Sequence, residues 1–134
     1  MIEDNLNQND KRLYISFEAY QAADWLDNHT DSESVILADY NNGNVIPALA
    51  GRRVYLGHWS QTSDFDYKKE LIESWFFYTN DDDKQKRVFI FESNIDYIFF
   101  SKSEDGLGKY SPVDKDYLKA IYSNNAVTIY RVIK

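Results

Sequence analysis

The chain contains no cysteine, one methionine, two prolines, five glycines and two histidines among 134 residues. Without cysteine there are no disulfides and no thiolate metal sites, so a packed core must supply the stability. The length suffices for one such core. No apolar run approaches the roughly 20 residues that a membrane-spanning helix needs. The opening MIEDNLNQND is too acidic and amide-rich for a secretory leader. Positive charge is also scarce: 15 Lys and Arg face 22 Asp and Glu, giving a formal charge of −7. That balance argues against nucleic acid or an anionic membrane as a general partner.

Several chemical signatures are missing too. No G-x-S-x-G elbow occurs. Gly106-Leu107-Gly108 is too short for a dinucleotide fingerprint. The Asp81-Asp82-Asp83 triplet lacks the spaced ligands and glycine of a calcium loop. A zinc site built on His58 and Asp39 would have no second histidine nearby. No metal or cofactor is therefore expected, and carboxylate pairs for glycoside hydrolysis are numerous but cannot be placed from sequence.

What the chain has in quantity is aromatic surface: eleven tyrosines, eight phenylalanines and three tryptophans. An aromatic core is the simplest use for them. The pattern is organised around Val35–Thr62. The run Val35-Ile36-Leu37-Ala38 has the length and β-branched content of a buried strand. It breaks at Asp39-Tyr40-Asn41-Asn42-Gly43, where polar side chains and a glycine suit a sharp turn. A short helix over Asn44–Ala50 follows, with Gly51 suited to a left-handed stop. Val54-Tyr55-Leu56-Gly57 reads as the next strand, with His58-Trp59 at its carboxyl end.

Residues 1–15 read as a flexible lead-in to an α/β domain spanning 16–134. Ser16 is placed to cap a helix over Phe17–Asn28, with Phe17, Tyr20, Ala23 and Leu26 on one face and Trp25 half-buried. Asn28-His29-Thr30 matches a glycosylation acceptor pattern, although a helix end followed by a turn explains it equally. Ser63 or Asp64 can cap a helix over Phe65–Tyr78, with Phe65, Leu71, Ile72, Trp75, Phe76 and Phe77 on a broad apolar side. The aspartate triplet reads as the N-terminal cap of the next segment. Gln85–Ser93 is ambiguous: Val88-Phe89-Ile90-Phe91 suits a strand, whereas acid-first, base-later charge order favours a helix. Asp96–Phe100 is a strand and Lys102–Pro112 a loop. Tyr117–Tyr122 and Ala126–Ile133 bracket Ser123-Asn124-Asn125 and read as a hairpin. The expected fold is a three-layer, Rossmann-like α/β sandwich with a mostly parallel sheet that ends in an antiparallel C-terminal hairpin.

In such a sheet, two strand ends would deliver Asp39, Tyr40, His58 and Trp59 to one edge, where open α/β sheets bind ligands. Asp39 could orient His58 or meet a sugar hydroxyl, or close an Asx-turn on Asn41 or Asn42. Trp59 could stack on a sugar ring or wedge beneath the next helix. Arg52 and Arg53 could grip a phosphate, or be pinned to a carboxylate such as Asp64 or Asp66.

The run Gly43-Asn44-Val45-Ile46-Pro47-Ala48, followed by Gly51-Arg52-Arg53-Val54-Tyr55-Leu56-Gly57-His58-Trp59 and Thr62, resembles a family block. It is similar to the C-terminal soluble region of bacterial multi-spanning membrane glycosyltransferases that use lipid-phosphate-linked sugars. The layout also resembles the soluble domain of oligosaccharyltransferase catalytic subunits, where a W-W-D-Y-G block follows the first strand. Here Asp39-Tyr40 keeps the Asp-Tyr pair, while both tryptophans are missing and the glycine is displaced to Gly43. The resemblance implies a non-catalytic accessory domain on the extracytoplasmic face. Its partner would be the transmembrane portion of a parent glycosyltransferase, with a saccharide or lipid-linked sugar as further partner. The surface it implies comprises Asp39, Tyr40, Asn44, Arg53, His58, Trp59 and Thr62. Two alternatives stand beside it: a free-standing module binding a small sugar or nucleotide, and a small hydrolase using His58 with Asp39.

Overall fold

A computed structural model describes residues 16–60 and 62–134; the expected lead-in over 1–15 lies outside the described residues. The first helix, α1 (Phe17–His29), begins where Ser16 Oγ accepts from the Ala19 N–H at 3.1 Å. Its buried face is Ala19, Ala22, Ala23 and Leu26, so the expected stripe is rotated. Phe17 and Tyr20 are exposed instead. The three alanines let the helix lie close to the sheet, where two large rings would hold it off.

Strand β1 (Val35–Leu37) leads into α2 (Tyr40–Ala50). The expected turn over Asp39–Gly43 is the first turn of this longer helix, because Asp39 caps it directly through the Asn42 N–H at 2.9 Å. Gly51 ends the helix at φ 64°, a conformation that glycine adopts without strain. Strand β2 (Arg53–Val54) is shorter than its apolar run, although the Tyr55 N–H still donates to the Ile36 carbonyl.

Helix α3 (Phe65–Leu71) passes into a π-turn over Ile72–Phe76, closed by the Phe77 N–H on the Ile72 carbonyl at 3.0 Å. The consecutive rings of Phe76 and Phe77, at the end of this turn, both reach the core. Helix α4 (Asp83–Glu92) resolves the ambiguous segment in favour of charge order. Asp82 stands at its N-cap position without a side-chain capping bond, and accepts from Trp75 Nε1 instead.

Strand β3 (Tyr97–Ser101) is followed by a four-residue helix, α5 (Lys102–Asp105), within the stretch expected to be loop. Strands β4 (Leu118–Ser123) and β5 (Val127–Val132) form the hairpin. The five strands run in the order β2-β1-β3-β5-β4. β1 pairs in parallel with β2 and β3, whereas β5 is antiparallel to both β3 and β4. The expectation of a mostly parallel sheet is therefore corrected. The antiparallel C-terminal hairpin does form, but β5 also docks along the whole of β3 and makes half of the sheet antiparallel.

Alternation along the central strands feeds two cores, one on each face. Leu37, Ile98 and Tyr130 pack with Ile72, Phe76, Phe77 and Ile90 from the π-turn and α4. Ile36, Phe99 and Ile129 pack with α1 and with Ile46 and Ala50 of α2. Each fully buried leucine, isoleucine or phenylalanine among them contributes about 1.5–3 kcal/mol. Aromatic contacts add direction: Phe76 lies 4.8 Å from Tyr110 and 5.2 Å, edge-on, from Phe77.

Candidate functional site

The parallel pairing sends the carboxyl ends of β1, β2 and β3 to one edge of the sheet. The chain crosses from β2 over β1 to β3, so the order reverses between β1 and β3. Such a reversal opens the crevice in which α/β proteins usually bind ligands. Here the protein's own polar groups fill it. The carboxylate of Glu104 is wholly buried. Its Oε2 accepts from the Asp39 N–H at 3.0 Å and from Asn42 Nδ2 at 2.7 Å. Its Oε1 accepts from the Ser101 N–H at 2.8 Å and from Ser101 Oγ at 2.5 Å. Burial, then the neighbouring Asp39 charge, push the Glu104 carboxyl up to about 7, while hydrogen bonds from Asp39, Ser101 and Asn42 pull the other way.

Asp39 is 2% exposed. Its Oδ1 accepts from the Asn42 N–H, and its Oδ2 accepts from Ser103 Oγ. The carboxylate is thus enclosed and engaged, so it supports the edge from below and presents nothing to a ligand. Tyr40 follows, half-buried, with its N–H donating to Glu73 Oε2 at 2.9 Å and its ring edge-on to Phe65 at 5.4 Å. Glu73 Oε1 in turn accepts from Lys69 Nζ at 2.9 Å, which raises the lysine pKa. Asn44 lies one turn beyond Tyr40, and its Oδ1 is buried with no hydrogen-bond partner among the described residues.

Gly43 joins the two strand ends. A Cβ there would stand 1.8 Å from the Leu56 carbonyl oxygen, so α2 rests on the backbone leading to His58. Beyond it, Thr62 Oγ1 accepts from the Gly57 N–H at 3.1 Å and the Thr62 N–H donates to the His58 carbonyl at 3.0 Å. Thr62 therefore closes a small loop. At its tip His58 Nδ1 accepts from the Ser60 N–H at 3.1 Å and lies 2.7 Å from Ser60 Oγ. An N–H aimed at Nδ1 puts the proton of the neutral ring on Nε2. The Trp59 ring stacks on the imidazole with centroids 5.6 Å apart and is 63% exposed.

Arg53 is not part of this edge. It pairs with Val35 at the start of β1 and reaches Glu33, at the opposite end of the sheet. Arg52 is buried and donates to the carbonyls of Leu26, Asp27, Thr30 and Ala50 and to Thr30 Oγ1, closing the end of α1. Its nearby carboxylate is Asp27 at 3.7 Å; neither Asp64 nor Asp66 holds either arginine. No Asp39–His58 dyad forms, because Asp39 is bonded to Ser103 and Asn42 and His58 to Ser60. The residues missed from sequence are Ser101, Ser103 and Glu104. Ser101-Lys102-Ser103-Glu104 does carry the S-x-x-E signature of a capping box, which this segment forms.

Among the described residues, no group of three His, Asp or Glu side chains is placed to hold a metal ion. No helix among them is long and apolar enough to cross a membrane. Elsewhere, Tyr67, Glu70, Leu71, Ser74 and Trp75 line an open hollow of about 320 Å³ on α3 and the π-turn.

No protein-family model matches the sequence, and no curated protein matches it. Among solved structures, the chain is similar to the C-terminal globular domain of an oligosaccharyltransferase, AglB-S2, from Archaeoglobus fulgidus. The likeness covers 90% of this chain and 99% of that domain, with a TM-score of 0.64 and 11% sequence identity. At that identity the likeness defines the fold: a mixed α/β domain of the kind found there.

Proposed function

We propose that this chain is a non-catalytic accessory domain of a membrane-bound glycosyltransferase, held on the extracytoplasmic face. The reading is carried by one observation: the fold likeness spans nearly all of both chains, and that domain is part of an oligosaccharyltransferase. The exposed His58–Trp59 pair supports it further. A stacked imidazole and indole, with Nε2–H as donor, offers an apolar ring face beside a polar group. That combination suits a saccharide or the polar end of an acceptor, with Tyr40 flanking it and Thr62 fixing the loop. Asp39 and Asn44 act beneath that surface, and Arg53 lies outside it.

The free-standing sugar- or nucleotide-binding module has less support, because Asp39, Asn42 and Glu104 occupy the crevice it would use. The test is glycosyl transfer in membranes of cells that express the chain, with His58→Ala and Trp59→Ala combined. Transfer falls at least tenfold on this reading while the circular dichroism of the domain is unchanged. Undiminished transfer would overturn it.

A further inference from the structure

We propose that Glu104 is a proton-operated latch that sets how firmly the His58–Trp59 loop is seated. As regulation of that surface, the inference rests on the accessory-domain reading for its meaning, though not for its test. All four groups around the Glu104 carboxylate donate to it: the N–H of Asp39, the amide of Asn42, and the N–H and hydroxyl of Ser101. An ionised carboxylate accepts all four, and so ties the end of β3 to the first turn of α2.

A protonated carboxyl cannot keep this arrangement. With the proton on Oε2, both neighbours are N–H donors and one of them must withdraw. With the proton on Oε1, the new O–H must donate to Ser101 Oγ. That oxygen already accepts from Asn42 Nδ2 at 3.0 Å and from the Ser103 N–H at 3.2 Å, which fills both lone pairs. Protonation at either oxygen therefore loosens Asn42 or the adjoining caps. The next residue is Gly43, on whose close approach Leu56 and Gly57 rest. The path from proton to loop is thus one helical turn and one backbone contact.

The charges that face Glu104 favour taking up the proton. Asp39 adjoins it from the β1–α2 junction. Glu73, from the π-turn, holds the Tyr40 N–H and is itself paired with Lys69 of α3. Lys102 and Asp105 of α5 itself are exposed. No cation bonds to either buried carboxylate among the described residues; burial first, and then the adjoining Asp39 charge, favour the proton against the hydrogen bonds that hold the ionised form.

The experiment follows Glu104 Cδ, the Asn42 side-chain amide and the Gly43 and Gly57 N–H groups by NMR from pH 5 to 8.5. Wild type is compared with His58→Gln, which removes the imidazole, and with Glu104→Gln. The latch gives one shared inflection near neutrality that persists in His58→Gln and is absent from Glu104→Gln. A Glu104 carbon that titrates in the ordinary carboxylate range overturns it. So do Asn42 and Gly57 signals that ignore Glu104, or that keep their inflection in Glu104→Gln. If Glu104→Gln fails to fold, the wild-type and His58→Gln titrations decide. No partner or saccharide is used, so this result and the membrane assay above can fail separately.

Discussion

The Cα of Gly43 packs against the carbonyl of Leu56 so closely that even a methyl group would stand 1.8 Å from that oxygen. Both partners are backbone, so neither can swing aside. Gly43→Ala is expected to destabilise the fold by about 3 kcal/mol. Gly51→Ala meets open space and pays only for its left-handed backbone, about 1 kcal/mol. Urea unfolding of the two variants measures the difference; equal losses would show that the close approach is not tight.

Arg52 and Arg53 are neighbours with opposite fates. Arg52→Ala leaves the end of α1 without its five side-chain donations and is expected to cost about 3 kcal/mol. Arg52→Lys recovers little, since an ammonium cannot reproduce the planar fork. Arg53→Ala, which loses only an exposed contact with Glu33, should stay within about 0.5 kcal/mol. Thermal unfolding of the three variants would show this order or refute it.

Buried Glu104 makes stability depend on pH in a defined direction. Its folded pKa, about 7, lies above the ordinary glutamate value of 4.5, so the native state binds the proton more tightly. The stabilisation is complete below the unfolded value and is lost as pH rises through about 7. The melting temperature should therefore fall, by on the order of 5 °C, between pH 5.5 and 8. In Glu104→Gln this dependence should flatten. A melting temperature that climbs over the same interval in wild type would contradict the assignment.

Lys86 presents the reverse case. Its ammonium is buried among Trp75, Phe76 and Tyr110 and donates to the carbonyl and hydroxyl of Thr79. Burial, with Lys115 nearby, lowers its pKa to about 8. The native state then holds the proton less tightly than the unfolded chain, so this group's contribution rises from pH 8 to 10.5. Lys86→Met should remove that slope and cost about 2 kcal/mol at neutral pH by leaving the Thr79 carbonyl unpaired. Mass spectrometry after brief acetylation provides a second check, with Lys86 modified only once the protein unfolds.

Much of the fold was legible because its signals are local. Ser16 and Gly51 act as cap and stop at the positions their chemistry suggests. Asn124 at the hairpin turn accepts from the Ala126 and Val127 N–H groups. The pairing partner of β3 was not legible, since nothing in Tyr97–Ser101 says which neighbour lies alongside. The short helix Lys102–Asp105 was hidden for another reason. Its capping box precedes no apolar run, so Glu104 reads as a solvated acid until Asp39 and Asn42 are brought to it from 65 and 62 residues away. For the site, sequence put His58 and Trp59 together at a strand end but left open whether the indole is exposed, and it could not tell that Arg53 stands at the far end of the sheet.

In the proposed function the exposed His58–Trp59 loop meets its saccharide or acceptor where the domain packs on the membrane-embedded part of a glycosyltransferase. A photo-crosslinking amino acid at position 59, compared with one at exposed Val113 in the segment leading to β4, tests this in native membranes. Position 59 is expected to join covalently to membrane-spanning glycosyltransferase sequence, in the same chain or another, and position 113 is not. Crosslinking of the two positions to the same material, or of position 113 alone, would contradict it.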